Sequence, residues 1–260
     1  MPASFDPEKA ARYIFDAHAR RAEYRNLPPE IAPRSIAEAY AAQAALARLL
    51  AEREGRVAGL KIATTTKIMQ QLMGIDHPCG GLIFERRVFR SPADIQMSDH
   101  MHVVLECELG LRLGRAITEA SEPHTRDSVK GAIAAVMPAF ELIEDRNADY
   151  KSAQAFSMIA DNCWNAGVVL GTETAFDMQH SLDGIAGSVK IDGRPSGEGR
   201  TDDPLGALAW VANLAIEHER PLQAGMVVIT GSILPTFPVR SGNHVVFALE
   251  GFGSTELIVK

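Results

Sequence analysis

Val103-Val104-Leu105-Glu106-Cys107-Glu108-Leu109-Gly110-Leu111-Arg112-Leu113 is an apolar run in which every charged residue falls on one parity. Successive side chains of a β-strand point to opposite faces. Leu105, Cys107, Leu109, Leu111 and Leu113 therefore pack one way, and Glu106, Glu108 and Arg112 point the other. The two carboxylates share a face with their Cβ atoms roughly 7 Å apart, from a rise of about 3.3 Å per residue. Two readings follow. Either the strand is half-solvated and shows its glutamates to water, the commonest reason for alternation, or the two carboxylates converge on one cation.

A third acidic residue sharpens the choice. Glu141 lies inside Val136-Met137-Pro138-Ala139-Phe140-Glu141-Leu142-Ile143-Glu144-Asp145-Arg146, where a lone charge is costly to bury unpaired. A metal ion would supply the missing partner.

The 260 residues are enough to bury a sizeable core, and 46% hydrophobic with 23% charged content is ordinary for a globular protein. No run approaches the roughly 20 apolar residues that cross a bilayer. The start, Met1-Pro2-Ala3-Ser4-Phe5-Asp6, lacks a basic segment leading into an apolar one. A soluble, cytoplasmic protein without a membrane partner is the expectation. The 3 cysteines, Cys79, Cys107 and Cys163, have no CxxC spacing, so neither a disulfide framework nor a zinc site is indicated. Cys107 sits on the apolar parity and reads as a small core hydrophobe. A net charge of −7 without a basic stripe argues against nucleic acid.

Residues 1–75 read as a helical N-terminal portion and 76–260 as a β-rich core, an α+β chain. Asp6-Pro7 caps a first helix, and Ser35-Ile36-Ala37-Glu38 forms a capping box for a second that runs to about Arg53 and stops at Gly55. A short strand over Ala58–Ile62 and a short helix over Thr66–Leu72 follow. Strands are expected near 81–84, 101–113, 139–144, 166–171, 188–191, 227–230, 245–249 and 255–259, with a hairpin turn at Asp192-Gly193. Two helices interrupt them, Arg126–Met137 and Pro204–Glu217, the latter capped by Asp203. Strands and helices do not alternate regularly and no GxGxxG follows a strand, so a Rossmann or barrel reading is weak.

Six segments occur here in the order seen in 2-keto-4-pentenoate hydratases: Gly59-Leu60-Lys61-Ile62-Ala63-Thr64-Thr65-Thr66-Lys67, Met73-Gly74-Ile75-Asp76-His77-Pro78, Glu106-Cys107-Glu108, Pro138-Ala139-Phe140-Glu141, Ile159-Ala160-Asp161-Asn162 and Ile229-Thr230-Gly231-Ser232. The chain resembles that family over nearly its whole length. The resemblance extends to 4-oxalocrotonate decarboxylases, within the fumarylacetoacetate hydrolase superfamily, and implies the fold of that superfamily's C-terminal domain.

The resemblance further implies a divalent cation, Mg²⁺ or Mn²⁺, on Glu106, Glu108 and Glu141, with no organic cofactor. Carboxylate oxygens suit such hard ions. The histidines, His77 and His102 among them, lack the spacing of zinc ligands and read as surface or structural. Lys61 matches the family's active-site lysine; in isolation it reads as a surface lysine at a strand end, and in its apolar setting partial desolvation would lower its pKa. Asn162, Thr230, Ser232 and Cys79 are candidate substrate contacts. Cys79 stands where many family members carry an aspartate, and a thiol is no substitute for a carboxylate base. Asp145-Arg146 is a candidate pair for another subunit or for a second substrate carboxylate. Ser241-Gly242-Asn243, in place of the family's frequent Pro-Gly-Asp, reads as a turn.

The implied activity is hydration of a 2-hydroxy-2,4-dienoate to a 4-hydroxy-2-oxo acid, a step of aromatic catabolism, in a homo-oligomer. The alternatives are decarboxylation of a 2-oxo-3-enedioate, hydrolysis of an acylpyruvate carbon–carbon bond, and a non-catalytic relative that binds a metal and a small oxo acid.

Overall fold

A computed structural model describes residues 4–260; Met1–Ala3, the head of the N-terminal stretch read above, lie outside the described residues. Helix α1 (Pro7–Ala19) begins where the Asp6 carboxylate accepts the N–H groups of Glu8 and Lys9 at 3.1 and 3.2 Å. Helix α2 (Ile36–Glu54) begins at Ser35, whose hydroxyl accepts the Glu38 N–H at 3.2 Å. The Glu38 carboxylate reaches back one residue further, to the Arg34 N–H at 2.7 Å, so only half of the capping box forms. Gly55 ends α2 at φ +81°, a conformation that favours glycine.

Strand β1 (Val57–Ala63), helix α3 (Lys67–Met73), and strands β2 (Cys79–Phe84), β3 (Val88–Arg90), β4 (Ala93–Ile95) and β5 (Val103–Leu113) follow. Then come α4 (Arg126–Lys130), β6 (Ile133–Glu144), α5 (Ala155–Ala160), β7 (Asn165–Leu170), β8 (Thr174–Ala175), β9 (Ala186–Ile191) and β10 (Arg194–Arg200). The chain closes with α6 (Pro204–Glu217), β11 (Val227–Ser232), β12 (Phe237–Pro238), β13 (His244–Leu249) and β14 (Gly253–Val259).

These strands form a 9-stranded sheet, in the order β2-β1-β11-β5-β6-β7-β3 with β12 on β5 and β8 on β6, and a 5-stranded sheet in the order β10-β9-β13-β14-β4. Both sheets are mixed: β1 runs parallel to β11 and β14 to β4, while most other neighbours are antiparallel. The α+β expectation holds, with β1 from the N-terminal portion lying inside the larger sheet.

The leucine parity of β5 makes the contact between the sheets. Leu105, Cys107, Leu109, Leu111 and Leu113 join Phe140 and Leu142 of β6 against Val189, Val245, Phe247 and Leu257 of the smaller sheet. On the other face the larger sheet rolls up, so that Ile83 of β2, Met137 of β6, Val168 of β7 and Ile229 of β11 share one cluster. Helix α2 packs against α1 on one side and α5 on the other.

The expected helix over Arg126–Met137 is largely a strand. Only Arg126–Lys130 is helical, and Ile133 onward pairs with β5, Ile133 opposite Leu113 and Val136 opposite Leu111. Residues 135–143 are buried on both faces, and a strand of that kind gives an unbroken apolar run without alternation. The hairpin at Asp192-Gly193 is present, both residues at positive φ (52° and 77°), and its second strand β10 was not anticipated. Ser241-Gly242-Asn243 is a turn, with Gly242 at φ +94° and the Asn243 side chain accepting the Arg240 N–H.

Candidate metal centre

Strand register brings the acidic residues together. Glu106 on β5 lies directly opposite Glu141 on β6, and Glu108 lies opposite Ala139 on one side and Ser232 of β11 on the other. Oxygen atoms of Glu106, Glu108 and Glu141 all fall within 4.8 Å of one another, and among the described residues this is the one such cluster of possible ligands. Glu108 and Glu141 are fully buried and Glu106 is half-buried. The half-solvated reading of the strand therefore fails at Glu108, whose face is the inside of the rolled sheet.

Each carboxylate has one oxygen tied by a donor. Glu108 Oε2 accepts the Gly231 N–H at 2.7 Å, and Glu106 Oε1 accepts the Thr236 hydroxyl at 2.6 Å. Glu141 Oε1 accepts the Asn165 amide at 2.8 Å and lies 2.9 Å from Lys61 Nζ. The partner oxygens Glu108 Oε1 and Glu141 Oε2 are buried without a hydrogen bond. Unsatisfied buried carboxylate oxygens are expensive. Burial, with the charges of Glu141 and Glu106 added, pushes the Glu108 carboxyl well above the usual range; burial and Glu106 also raise Glu141, against the pull of Lys61. An all-oxygen set with free, mutually repelling oxygens fits a hard divalent cation.

Lys61 departs from expectation in one respect. It is buried, and burial alone draws its pKa down, but Glu141 at 2.9 Å and the nearby Glu106 charge outweigh burial and hold it above the ordinary value. Lys61 and Glu141 form a buried pair inside the larger sheet.

The four candidate substrate contacts are mostly turned to the chain itself. The Asn162 amide is spent on Leu82, accepting its N–H at 2.7 Å and donating to its carbonyl at 2.8 Å. Thr230 donates to the Leu109 carbonyl at 2.9 Å, and Cys79 is fully buried with its thiol pushed up by burial. Ser232 is exposed; it donates to the Leu234 carbonyl at 2.6 Å and lines an open cleft of about 860 Å³ with Thr65, Thr66, Lys67 and Trp210. Arg146 pairs within the chain, with Asp161, and Asp145 takes His102 at 2.6 Å and the Tyr150 hydroxyl at 2.9 Å. Asp145 is thus engaged within the chain, while Arg146 Nε and Nη1 are buried without a hydrogen-bond partner.

Three donors escaped the sequence reading: Asn165, Thr236 and the Gly231 N–H. Only Gly231 carried a local signal, since its φ of +104° is one that glycine adopts freely and the Thr-Gly-Ser segment marks a break in the strand. Asn165 follows three residues in the left-handed region, Asn162, Cys163 and Trp164 at φ 53°, 48° and 59°.

Fold and trio together define an α+β chain of two mixed sheets whose larger sheet carries three carboxylates that could hold a cation. Residues 77–260 match the family described as fumarylacetoacetate (FAA) hydrolase C-terminal, and the chain belongs to that family. It is 27% identical over 256 residues to 2-keto-4-pentenoate hydratase 2 of Dechloromonas aromatica (strain RCB), covering 97% of each chain. It is 30% identical over 203 residues to 2-keto-4-pentenoate hydratase of Burkholderia vietnamiensis, 76% of each. Among solved structures, 4-oxalocrotonate decarboxylase from Pseudomonas putida G7, complexed with magnesium and adipate, superposes with a TM-score of 0.89 at 22% identity over 98% of this chain and 97% of the other. Among the described residues no helix is long and apolar enough to cross a membrane.

Proposed function

We propose that the chain is a divalent-cation-dependent hydratase that converts a 2-hydroxy-2,4-dienoate to a 4-hydroxy-2-oxo acid. The observation that carries this reading is the trio of carboxylates with oxygens within 4.8 Å, two of them buried, set beside a buried lysine. Glu106, Glu108 and Glu141 would hold Mg²⁺ or Mn²⁺, which supplies positive charge where the substrate's carboxylate and 2-oxygen chelate and where enolate charge develops.

The remaining chemistry is proton movement. Ketonisation removes the 2-hydroxyl proton and adds one at the far end of the dienol; water then adds across the conjugated double bond, its oxygen to the distal alkene carbon and its hydrogen to the carbon beside the ketone. Lys61 Nζ, 2.9 Å from Glu141 Oε1, is the hydrogen-bond donor for the 2-oxygen as negative charge develops on it, and the 2-hydroxyl proton lost in ketonisation passes to water. The neighbouring cleft past Ser232 and Thr65 accepts the substrate tail. Glu106→Gln or Glu108→Gln should cut cation-dependent loss of dienol absorbance by about a thousandfold, the equivalent of about 4 kcal/mol of lost Lewis-acid stabilisation. Undiminished turnover by these variants in chelator-treated buffer would refute the reading.

Decarboxylation of a 2-oxo-3-enedioate is the second reading, and Cys79 favours it. Hydration needs a base to activate water, whereas loss of CO₂ does not, and the buried thiol at this position is pushed further from ionisation. Measuring CO₂ against hydrated product from a panel of dienoates separates the two.

A further inference from the structure

We propose that Asn165 is a positioning residue that holds Glu141 in its cation-binding orientation independently of Lys61. The inference rests on the reading of the acidic trio as a cation site. Glu141 Oε1 has two partners of different kinds, the Asn165 amide at 2.8 Å and the Lys61 ammonium at 2.9 Å, and this leaves Oε2 as the unpartnered oxygen. The lysine donor sits at the end of a flexible four-carbon stem, whereas the asparagine amide is carried on a short side chain and fixed by the strand that bears it. With Lys61 alone, the carboxylate would be free to rotate whenever the lysine engages substrate; with Asn165 present, one oxygen stays pinned and the other keeps its aim.

The backbone is built to deliver that amide. Asn162 grips both backbone groups of Leu82, tying the segment before β7 to strand β2 across the roll. Three consecutive residues, Asn162, Cys163 and Trp164, then take up the left-handed region, a conformation that non-glycine residues hold only where the surroundings enforce it. Where β7 joins β6 the register shifts: Leu142 faces Gly167 and Ile143 faces Asn165, so an extra residue is accommodated on β7. A bulge of this kind re-aims a side chain, and here it puts the Asn165 amide on the carboxylate. Strain, bulge and anchor converge on one hydrogen bond.

The test is Mn²⁺ affinity, measured by titration calorimetry and by the paramagnetic resonance of free Mn²⁺, on the wild type, Asn165→Ala, Lys61→Met and the double variant. Asn165→Ala should weaken Mn²⁺ binding by about 10- to 100-fold, the usual cost of removing a partner of a metal-ligating group. It should do so by the same factor in the Lys61→Met background. Asn165→Gln, which keeps the amide, should recover part of the affinity while melting no higher than Asn165→Ala. If Asn165→Ala does not fold, Asn165→Ser carries the same expectation, because its hydroxyl is too short to reach Glu141. Unchanged affinity in the folded Ala or Ser variant overturns the inference alone. Failure of the wild type to bind Mn²⁺ overturns the cation site itself.

Discussion

Gly81 faces Lys61 across strands β2 and β1, and a Cβ there would stand 2.8 Å from the Asn162 carbonyl oxygen and 3.1 Å from Lys61 Cγ. The backbone oxygen is held by the anchored turn, so the lysine is the part that gives. Gly81→Ala should destabilise by about 1–3 kcal/mol, the usual range for overpacking, and should lower kcat further than that loss explains, because Lys61 is displaced from Glu141; urea unfolding and turnover measured together check both. Glu108 makes the opposite case. Its carboxylate is fully buried against two others, so Glu108→Gln removes repulsion while its side-chain carbonyl can still accept the Gly231 N–H. In chelator, Glu108→Gln should melt above the wild type by the equivalent of about 1–2 kcal/mol, below the ceiling of about 4 kcal/mol for unit charges 4 Å apart in a partly screened site. Adding Mn²⁺ should raise the wild-type melting temperature and leave the variant's unmoved; a variant less stable than wild type in chelator would contradict this account.

At the scale of elements, the turn from α5 into β7 is the piece whose loss costs most. Asn162→Ala leaves the buried N–H and carbonyl of Leu82 unpaired and puts a residue with no side-chain polar group at φ 53°. A loss of about 3 kcal/mol in unfolding free energy is expected from two orphaned groups at 1–3 kcal/mol each, read by chemical denaturation. The turn also marks the limit of what residue order reveals. Parity in Val103–Leu113 identified the acidic face of β5, and caps at Asp6, Ser35 and Asp203 marked helix starts that the structure reproduces. The same reasoning misread Ile133–Met137 as helix, because alanine-rich sequence favours helix locally while pairing along the whole of β5 decides otherwise. Asn165 was invisible for a plainer reason: its partner Glu141 lies 24 residues away, and no spacing rule connects them. Strand β10, Arg194–Arg200, is too polar and glycine-containing to read as a strand without its hairpin partner.

For the whole molecule, the Glu144 carboxylate fastens the segment before β5 to the end of β6. It meets His100 Nδ1 at 2.9 Å and accepts the N–H groups of Met101 and His102, the latter at 2.8 Å. Burial raises its pKa, but these partners outweigh burial and hold it below the ordinary value of 4.5. A depressed carboxyl contributes stability that is fully present above the unfolded-state pKa and is lost as pH falls through the folded one. Glu144→Gln should therefore cost about 2 kcal/mol at pH 7, and the gap should close as pH falls below the carboxyl range; a gap that persists in acid would assign the effect to packing.

Strands β5 and β6 carry the inter-sheet core on one face and the acidic trio on the other, with Glu106 opposite Glu141. Slipping either strand by one residue would turn carboxylates into the leucine layer and leucines into the roll. Insertions and deletions are thus forbidden within this pair of strands for two unrelated reasons at once. The connection at their far end, from Gly114 to Ala132, and the loops around the cleft answer to neither. Changes in chain length are tolerated at the rim of the cleft and not in the two strands that carry the acidic trio.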